Sequence, residues 1–469
     1  MVNRDFDLIV IGGGPAGYVG AIRAAQLGMS VACVEKRETL GGTCLNVGCI
    51  PSKALLNASE KYAEAASGYF GGLGIEVGKI KLNLTEMMLG KDKIVSGLTG
   101  GIDHLFKKNK ITRLVGSASL KGQGKVEVSA SGKTQSYSAS RILIATGSVP
   151  TSLPNVEIDE TKIVSSTGAL ALDRLPKSMV VIGAGYIGLE MGAVWSRLGA
   201  QVEVVEYLPR ILPGMDLEVA NKFKAIMTKQ GLSFQLNTAV KSAKVTKTGV
   251  SIVLADAKTG EETEKKCDIA LVSVGRKPNT DGLGLEELGV VVTERGQIIV
   301  DEDFETNIEG IFAVGDVIPG PMLAHKAEED AVAAVEIMAG QVGHIDYELV
   351  PGIVYTAPEI ATLGATEETL KEAGIDYRKG VFPFLANSRA KATGHTEGFV
   401  KILADVKTDK VLGCHIIAHE AGTLIHEVAT AMSFGASSED IARTCHGHPT
   451  MNEAVKEAAL AVDGRAIHI

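Results

Sequence analysis

The sequence predicts an α/β fold: two similar units of parallel strands and helices, followed by an α+β module. Three observations lead to this prediction. Continuous apolar runs, typical of strands buried on both faces of a parallel sheet, alternate with helical segments. One glycine-rich pattern occurs twice. After Pro351 the composition changes, with strands expected near 399–403 and 411–417 and helices from Glu420 and Ser438.

The composition is typical of a soluble globular protein, with 45% hydrophobic and 22% charged residues. At roughly 150 residues per domain, 469 residues allow about three domains. The net charge of −9 argues against a nucleic-acid or anionic membrane partner, and no apolar run resembles a membrane span. Because the first strand begins near Asp7, we expect no targeting segment and a bacterial cytoplasmic location. The mitochondrial matrix is the expectation if a presequence has been removed.

An internal repeat organises the first 275 residues. In each copy an apolar strand is followed by a glycine turn, a helix and a second strand that ends in glutamate. Five residues recur at a single offset of 171 positions: Gly12, Gly14, Gly17, Gly28 and Glu35 correspond to Gly183, Gly185, Gly188, Gly199 and Glu206. Five matches at one offset indicate a true structural repeat.

These glycines suit a Rossmann-like, dinucleotide-binding unit. The first glycine allows a sharp turn, the second lets a pyrophosphate approach the backbone at the helix N-terminus, and the third lets the helix pack on the strand. A lone motif of this kind is weak evidence, but here it occurs twice, each time with an acidic residue placed for the ribose hydroxyls. Glu206 would repel a 2′-phosphate, and Arg210 lies four residues beyond it. The second site therefore favours NAD over NADP.

The repeat and the composition divide the chain into four segments. We expect a first dinucleotide-binding domain at 1–150, a second at 151–275, a return to the first at 276–350, and the α+β module at 351–469. Three smaller features support this division: a β meander near 116–140, a buried strand from Arg141 to Thr146, and a proline-containing crossing between domains at 150–162.

Two of the six cysteines, Cys44 and Cys49, lie close together just after the first repeat unit. In an ideal helix their Cα atoms would be about 7.5 Å apart, beyond the usual disulfide limit of about 6.8 Å. Gly48 and Pro51 allow the local distortion that would bring them together. Helical N–H groups nearby would lower a thiol pKa and favour the reactive thiolate. The sequence therefore predicts a redox-active pair.

Three other interpretations of this pair are weaker. A structural disulfide is unusual in an intracellular chain. A zinc site needs four ligands, and Cys445-x-x-His448 is the one further Cys/His pair that stands out. Two inert thiols would leave the glycine-rich surroundings unexplained. Because nicotinamide exchanges electrons with a disulfide efficiently only through a flavin, two dinucleotide sites and one dithiol together indicate FAD and NAD as cofactors.

With these motifs the chain resembles the class I pyridine nucleotide-disulfide oxidoreductases over essentially its whole length. The most specific motif is Gly-Gly-Thr-Cys44-Leu-Asn-Val-Gly-Cys49-Ile-Pro-Ser-Lys53, and the second is Thr306-x3-Gly310-x4-Gly315-Asp316. The resemblance is closest to members that oxidise protein-bound dihydrolipoamide and pass hydride to NAD⁺. It implies that 351–469 is a dimerisation domain and that the protein is an obligate homodimer.

The resemblance also implies the site residues. Cys44 would exchange with the substrate, and Cys49 would face the flavin. The FAD site would contain Gly12, Gly14, Gly17, Glu35, Thr43, Lys53, Gly116, Thr146, Gly147, Ser148, Asp316, Met322, Leu323, Ala324 and His325. The NAD site would contain Gly183, Gly185, Gly188, Glu190, Glu206, Val240 and Gly275.

A histidine–glutamate pair completes the implied chemistry. His448 and Glu453 match the family's acid–base pair, in which the histidine takes the proton of the attacking dithiol and the glutamate orients its ring. In the family this histidine reaches the dithiol of the other subunit. His446 does not have the matching spacing to the glutamate.

The implied partners are the lipoyl domain and the acyltransferase subunit of 2-oxo acid dehydrogenase complexes, with the glycine cleavage carrier protein as a further candidate; no metal is expected. Glutathione reductases use NADPH, which Glu206 disfavours, and mercuric reductases typically end in a vicinal cysteine pair, whereas this chain ends in Gly464-Arg-Ala-Ile-His-Ile. A related NAD(P)H-dependent disulfide reductase and a non-enzymatic, dinucleotide-binding redox sensor remain the alternatives.

Overall fold

The computed structural model describes residues 4–122 and 124–469, so that Gln123, in the predicted meander, lies outside the described residues. The chain forms two units. The first comprises Met1–Leu55, Asn83–Thr151 and Gly275–Tyr347, and the second comprises Leu56–Leu82, Ser152–Val274 and Glu348–Ile469. The predicted α/β class is confirmed. The exact boundaries of the four predicted segments stay predictions.

The first unit is built on a parallel sheet with the order β3-β2-β1-β6 and with β17 beside β6. The long strand β6 also pairs antiparallel with β5, and β5 with β4, which forms the predicted meander. β2 is buried along its whole length because helices and loops cover both faces of the sheet. The strands are β1 (Phe6–Ile11), β2 (Val31–Glu35), β3 (Thr112–Val115), β4 (Ser117–Leu120), β5 (Lys125–Ala130), β6 (Lys133–Ile144), β7 (Ser148–Pro150), β16 (Arg276–Pro278) and β17 (Ile311–Ala313).

Helices α1 and α10 pack against each other in the first unit. α1 begins with Pro15, whose fixed φ suits the first helical position, and α5 begins after Asn83, whose side chain accepts a hydrogen bond from the Glu86 N–H. The helices that lie in this unit or begin in it are α1 (Pro15–Gln26), α2 (Gly42–Val47), α3 (Cys49–Ala66), α5 (Leu84–Lys108), α9 (Leu285–Leu288) and α10 (Ala324–Met338).

The second unit contains a parallel sheet with the order β11-β10-β9-β15-β8, beside a three-stranded antiparallel meander of β12, β13 and β14. This arrangement repeats that of the first unit, with β9 and β10 in the places of β1 and β2. The strands are β8 (Ile163–Val164), β9 (Ser178–Ile182), β10 (Gln201–Val205), β11 (Ser233–Gln235), β12 (Thr238–Val245), β13 (Val250–Asp256), β14 (Glu262–Cys267) and β15 (Ile269–Val272).

The C-terminal segment of the second unit forms an antiparallel sheet with the order β18-β19-β22-β21-β20. Helices α13 and α15 pack on this sheet, and α14 packs on α15. The strands and helices expected after Pro351 are therefore present. The strands are β18 (Gly352–Val354), β19 (Glu359–Gly364), β20 (Tyr377–Pro383), β21 (Phe399–Asp405) and β22 (Val411–Ala418).

The helices of the second unit differ widely in length. Within the part of the chain that the structure describes, no helix is both long enough and apolar enough to cross a membrane. The helices are α4 (Tyr69–Gly72), α6 (Ser166–Ala169), α7 (Tyr186–Leu198), α8 (Leu217–Lys229), α11 (Glu367–Glu372), α12 (Ser388–Thr393), α13 (Ala421–Ser433), α14 (Ser438–Arg443) and α15 (Glu453–Ala461).

A buried lysine joins α8, α11 and β21. The Lys401 ammonium, whose side chain is fully buried, lies 2.9 Å from both carboxylate oxygens of Asp216 and 3.0 Å from a carboxylate oxygen of Glu218, and it also contacts Glu367. Burial alone would raise the pKa of Glu367, but hydrogen bonds from Lys401, Tyr377 and Lys379 outweigh it and hold the pKa well below its usual range. These three carboxylates lie close enough together to hold a metal ion. The lysine charge occupies their centre, so we interpret them as an ion-pair cluster.

Candidate active site

The two cysteines lie on either side of a break between two helices. α2 ends at Val47, and α3 begins at Cys49. A side chain on the intervening Gly48 would place its Cβ 2.8 Å from the Thr43 carbonyl oxygen, so this tight turn requires glycine. The predicted distortion therefore lies at Gly48, whereas Pro51 is accommodated in the first turn of α3. The break brings the two thiols into hydrogen-bonding contact.

The environment of Cys44 opposes thiolate formation in this dithiol state. The hydrogen bond with Cys49, burial and the nearby Glu328 carboxylate all raise the pKa of Cys44, and the Lys53 ammonium acts in the opposite direction. This is the reverse of the lowering expected from helical N–H groups, because the neighbouring thiol and burial outweigh the effect of the helix. Glu328 accepts a hydrogen bond of 3.1 Å from the Tyr18 hydroxyl, which links α10 to α1 beside the dithiol.

The first glycine motif forms a tight turn between β1 and α1. Gly12 has a φ of +106°, and a Cβ on Gly17 would lie 1.7 Å from the Gly12 carbonyl oxygen. Gly14 precedes α1 and provides no side-chain cap, so the first N–H groups of the helix remain available to a phosphate. Glu35 ends β2 and accepts hydrogen bonds of 2.9 Å from the backbone N–H groups of Gly13 and Arg37.

The second motif repeats this geometry down to its hydrogen bonds. A Cβ on Gly188 would lie 2.2 Å from the Gly183 carbonyl oxygen. The Glu206 carboxylate accepts hydrogen bonds of 2.8 Å from the N–H groups of Ala184 and Leu208, which stand 171 positions after Gly13 and Arg37. Both glutamates are thus fixed at the end of the second strand, with further lone pairs available for ribose hydroxyls.

The arginine nearest to Glu206 in sequence is engaged in a hydrogen bond to the backbone. This arginine, Arg210, donates to the backbone carbonyl of Met215. Gly185 precedes α7 without a side-chain cap, and among the described residues no atom other than those of its chain neighbours lies within 4 Å of the position that a Cβ on it would take. The residues of both motifs therefore fit an adenine dinucleotide, and those of the second fit NAD better than NADP.

A polar network surrounds Asp316. The Ser148 hydroxyl donates to the Asp316 carboxylate at 2.5 Å, and Arg276 donates to both the hydroxyl and the carbonyl oxygen of Ser148 at 2.7 Å. The preceding Gly315 N–H donates to Asp330, which forms a fully buried ion pair of 2.6 Å with Lys326. Sequence reasoning missed Arg276, although it follows Gly275 at the end of an apolar strand in the same way that Ser148 follows Gly147.

The remaining predicted cofactor residues are distributed over both units. In the first unit the Thr146 hydroxyl donates to the Asn279 carbonyl at 2.7 Å, and in the second the Glu190 carboxylate accepts from the Tyr355 N–H at 3.0 Å. Thr43 lies in α2, Lys53 in α3, Gly116 between β3 and β4, Gly147 between β6 and β7, Gly275 between β15 and β16, Met322 and Leu323 just before α10, Ala324 and His325 in its first turn, and Val240 in β12.

The predicted acid–base pair is in direct contact. His448 Nδ1 lies 2.9 Å from a carboxylate oxygen of Glu453, and the other oxygen accepts a hydrogen bond of 2.9 Å from the Thr450 N–H. Burial alone would raise the pKa of Glu453, but the hydrogen bonds from Thr450 and His448 outweigh it and lower the pKa. The His448 side chain is 69% exposed. Its Nε2 is therefore accessible to a substrate or to another chain.

A second histidine–glutamate pair anchors the same loop, and sequence reasoning missed it. His446 Nε2 lies 2.5 Å from a carboxylate oxygen of Glu427, and the Asn452 amide donates to the other oxygen at 2.6 Å. The His446 side chain is only 5% exposed. Its burial distinguishes it from His448 and indicates a structural role in holding the loop.

The chain matches two family models. The model described as "Pyridine nucleotide-disulphide oxidoreductase" matches residues 6–331, and the model of the dimerisation domain of that family matches residues 350–459. Together the two models cover most of the sequence.

Known proteins are similar over nearly the full length. "Dihydrolipoyl dehydrogenase, mitochondrial" of Pisum sativum is 55% identical over 464 residues, which cover 99% of this chain and 92% of that protein. "Leghemoglobin reductase" of Glycine max is 56% identical over 456 residues, which cover 97% and 87%. The crystal structure of LpdA from Mycobacterium tuberculosis aligns with a TM-score of 0.89 at 28% identity and covers 96% of this chain and 98% of that one.

The family matches agree with the geometry described above. A pair of thiols in contact, two glycine turns that each follow a strand, and a C-terminal α+β module are the features that carry the resemblance, and the predicted cofactors FAD and NAD are those of the matched family. The chain belongs to the pyridine nucleotide-disulphide oxidoreductase family.

Proposed function

We propose that this protein is a dihydrolipoamide dehydrogenase: it oxidises protein-bound dihydrolipoamide to lipoamide and passes hydride to NAD⁺. The observation that carries the proposal is the combination of two thiols in contact at a helix break with a paired, exposed histidine. A pair of thiols can alternate between dithiol and disulfide, and an exposed imidazole fixed by a carboxylate can serve as a base for a dithiol substrate. The 55% sequence identity to the pea protein named dihydrolipoyl dehydrogenase supports dihydrolipoamide as the substrate.

In the proposed reaction, Cys44 and Cys49 begin as a disulfide. A thiolate of the substrate attacks the Cys44 sulfur, the Cys44–Cys49 bond breaks, and Cys49 leaves as a thiolate. The second substrate thiol then attacks the sulfur that is bound to Cys44, releasing Cys44 and closing the cyclic disulfide product. His448 accepts the proton of the attacking thiol. FAD, when bound, supplies the route by which the two electrons now held by the cysteines reach NAD⁺.

The roles of the two cysteines follow from their positions in this proposal. Cys49 is the first residue of the 18-residue helix α3, where the free N–H groups and the positive end of the helix dipole stabilise a thiolate. It therefore suits the leaving and charge-holding role. Cys44, whose pKa is raised by its surroundings, suits the exchange role, since a thiol of high pKa keeps its proton after product release.

We further propose that the protein acts as a homodimer in which His448 serves the dithiol of the other subunit. The family's dimerisation domain, matched at residues 350–459, supports dimerisation. The exposure of His448 supports its use by a second chain. The proposed partners are the lipoyl domain and the acyltransferase subunit of a 2-oxo acid dehydrogenase complex, with the glycine cleavage carrier protein as a further candidate. A bacterial cytoplasmic or mitochondrial matrix location belongs to the same proposal.

A comparison of substrates tests the proposed function. The purified holoenzyme should turn over dihydrolipoamide with NAD⁺ and should show far lower activity with glutathione disulfide and NADPH. Turnover of ferric leghemoglobin by NADH, measured in parallel, tests the activity for which the soybean relative is named. A kcat/KM higher for glutathione disulfide or for ferric leghemoglobin than for dihydrolipoamide would overturn the proposal.

A further inference from the structure

A polar groove in the second unit lies among residues that the proposed reaction does not use. It encloses about 590 Å³. It is lined by the C-terminal half of α3, by residues at the end of α7 and around Pro358, and by two loops, at 394–397 and at His419. The acidic, basic and histidine residues that line it are Glu60, Glu64, Arg197, His395, Glu397 and His419.

Two imidazoles stack face to face at this groove. The ring centroids of His395 and His419 lie 3.7 Å apart, and the ring planes are within 1° of parallel. His419 Nδ1 lies 3.9 Å from a carboxylate oxygen of Glu60, which is too far for a hydrogen bond. Within residues 4–122 and 124–469, the ring nitrogens of this pair make no hydrogen bond. Their lone pairs are therefore free to bind a ligand.

The charges around the pair favour a cation. Three carboxylates line the groove against the single guanidinium of Arg197. The excess of negative charge also affects the nearby Glu359. Burial raises the pKa of Glu359 to about 7, and the carboxylates of Glu420, Glu60 and Glu190 act in the same direction. A hydrogen bond from the Gly422 N–H only partly offsets these effects.

We propose that the groove binds one divalent transition-metal ion, of the Zn²⁺, Ni²⁺ or Cu²⁺ class, through His395, His419 and Glu60. Imidazole nitrogens with a carboxylate oxygen suit these ions, whereas Mg²⁺ and Ca²⁺ prefer oxygen ligands alone. Glu64, one helical turn after Glu60, offers a second carboxylate on the same side of α3. In the structure the Glu64 carboxylate forms an ion pair of 2.9 Å with the Lys61 ammonium.

Binding requires one rearrangement. A metal ion lies in the plane of the imidazole that binds it, so two parallel rings 3.7 Å apart cannot share an ion as they stand. The proposed site therefore requires the His419 side chain to rotate, so that a ring nitrogen faces the edge of His395 and approaches Glu60. Both histidines lie in loops outside helices and strands, which leaves their side chains room to adjust.

Metal binding by the oxidised holoenzyme tests this proposal without reference to turnover. Cys445→Ser serves as the background, because Cys445 is exposed and would itself bind the ion. Equilibrium dialysis with Zn²⁺ should give one ion per chain, and His395→Ala and His419→Ala should each weaken this binding at least tenfold. With Cu²⁺, the electron paramagnetic resonance spectrum should show hyperfine lines from two nitrogens, one of which each variant removes.

Two further variants exclude indirect effects. Glu60→Gln preserves side-chain shape and should weaken Zn²⁺ binding without changing thermal stability. His426→Ala, at an exposed histidine of α13 outside the groove, should leave binding unchanged. Unchanged Zn²⁺ affinity in both His395→Ala and His419→Ala, or a loss in His426→Ala equal to theirs, would overturn the proposal.

Discussion

The two histidines of the C-terminal loop provide a matched pair of substitutions. His448 is exposed and paired with Glu453, whereas His446 is buried and paired with Glu427. Both imidazoles contact one carboxylate, and they stand two residues apart. If His448 is the base for the dithiol substrate and His446 holds the loop, His448→Gln and His446→Gln should have opposite effects on turnover and stability.

The role and the burial of each histidine determine the expected loss of activity and of stability. General acid–base catalysis contributes about 10²–10⁴-fold, so His448→Gln should raise the barrier to dithiol oxidation by about 2.7–5.5 kcal/mol. Its exposed pair with Glu453 is worth about 0–1 kcal/mol of stability, which makes the substitution nearly neutral for folding. His446→Gln instead takes the imidazole partner away from a part-buried carboxylate and should cost about 1–3 kcal/mol of stability.

Stopped-flow measurement of the two half-reactions separates these effects. His448→Gln should slow reduction by dihydrolipoamide by at least about 10² while leaving reduction by NADH within a few-fold of the unmodified enzyme. His446→Gln should keep most of its dithiol activity but unfold at lower urea concentration. Equal losses in both half-reactions for His448→Gln, or a larger loss of dithiol activity in His446→Gln, would refute the assignment of the base.

Two further predictions concern the scaffold. Lys401→Met removes the buried ammonium that three carboxylates share, although Lys379 still contacts Glu218 and Glu367, and it should cost about 3–5 kcal/mol in urea denaturation at pH 7. Because the lysine depresses the pKa of Glu367, its stabilisation is present above the unfolded carboxyl range and is lost as pH falls below about 4, so the difference between the two proteins should narrow there. Gly188→Ala, which clashes with the Gly183 carbonyl, should lower thermal stability, whereas Gly185→Ala meets no protein atom and should weaken NADH binding in a titration without destabilising the fold.

The sequence was sufficient to predict both dinucleotide cradles, because each is encoded locally. A strand, three glycines and a terminal glutamate lie within about 30 consecutive residues, and the turn geometry follows from the glycine spacing. Even the hydrogen bonds to Glu35 and Glu206 recur at the repeat offset. The interruption at Gly48 was predictable for the same reason, since it depends on residues within one helical turn.

Features that depend on distant residues were not predictable. Arg276 reaches Ser148 across 128 positions, and Tyr18 reaches Glu328 across 310. No local sequence pattern predicts such contacts, because they depend on the order of the strands in the sheet and on how the helices pack against each other. The direction of the Cys44 pKa shift was missed for a related reason: it depends on the hydrogen bond with Cys49, on burial and on Glu328, whereas the prediction considered only the local helix.

The central claim is that the Cys44–Cys49 pair carries electrons from a dithiol substrate. Anaerobic titration of the oxidised holoenzyme with dihydrolipoamide, followed by absorbance, tests it most directly. The unmodified protein and Cys445→Ser should both develop the long-wavelength band of a thiolate beside the bound flavin, and Cys49→Ser should not. Persistence of that band in Cys49→Ser, or its loss in Cys445→Ser, would contradict the account.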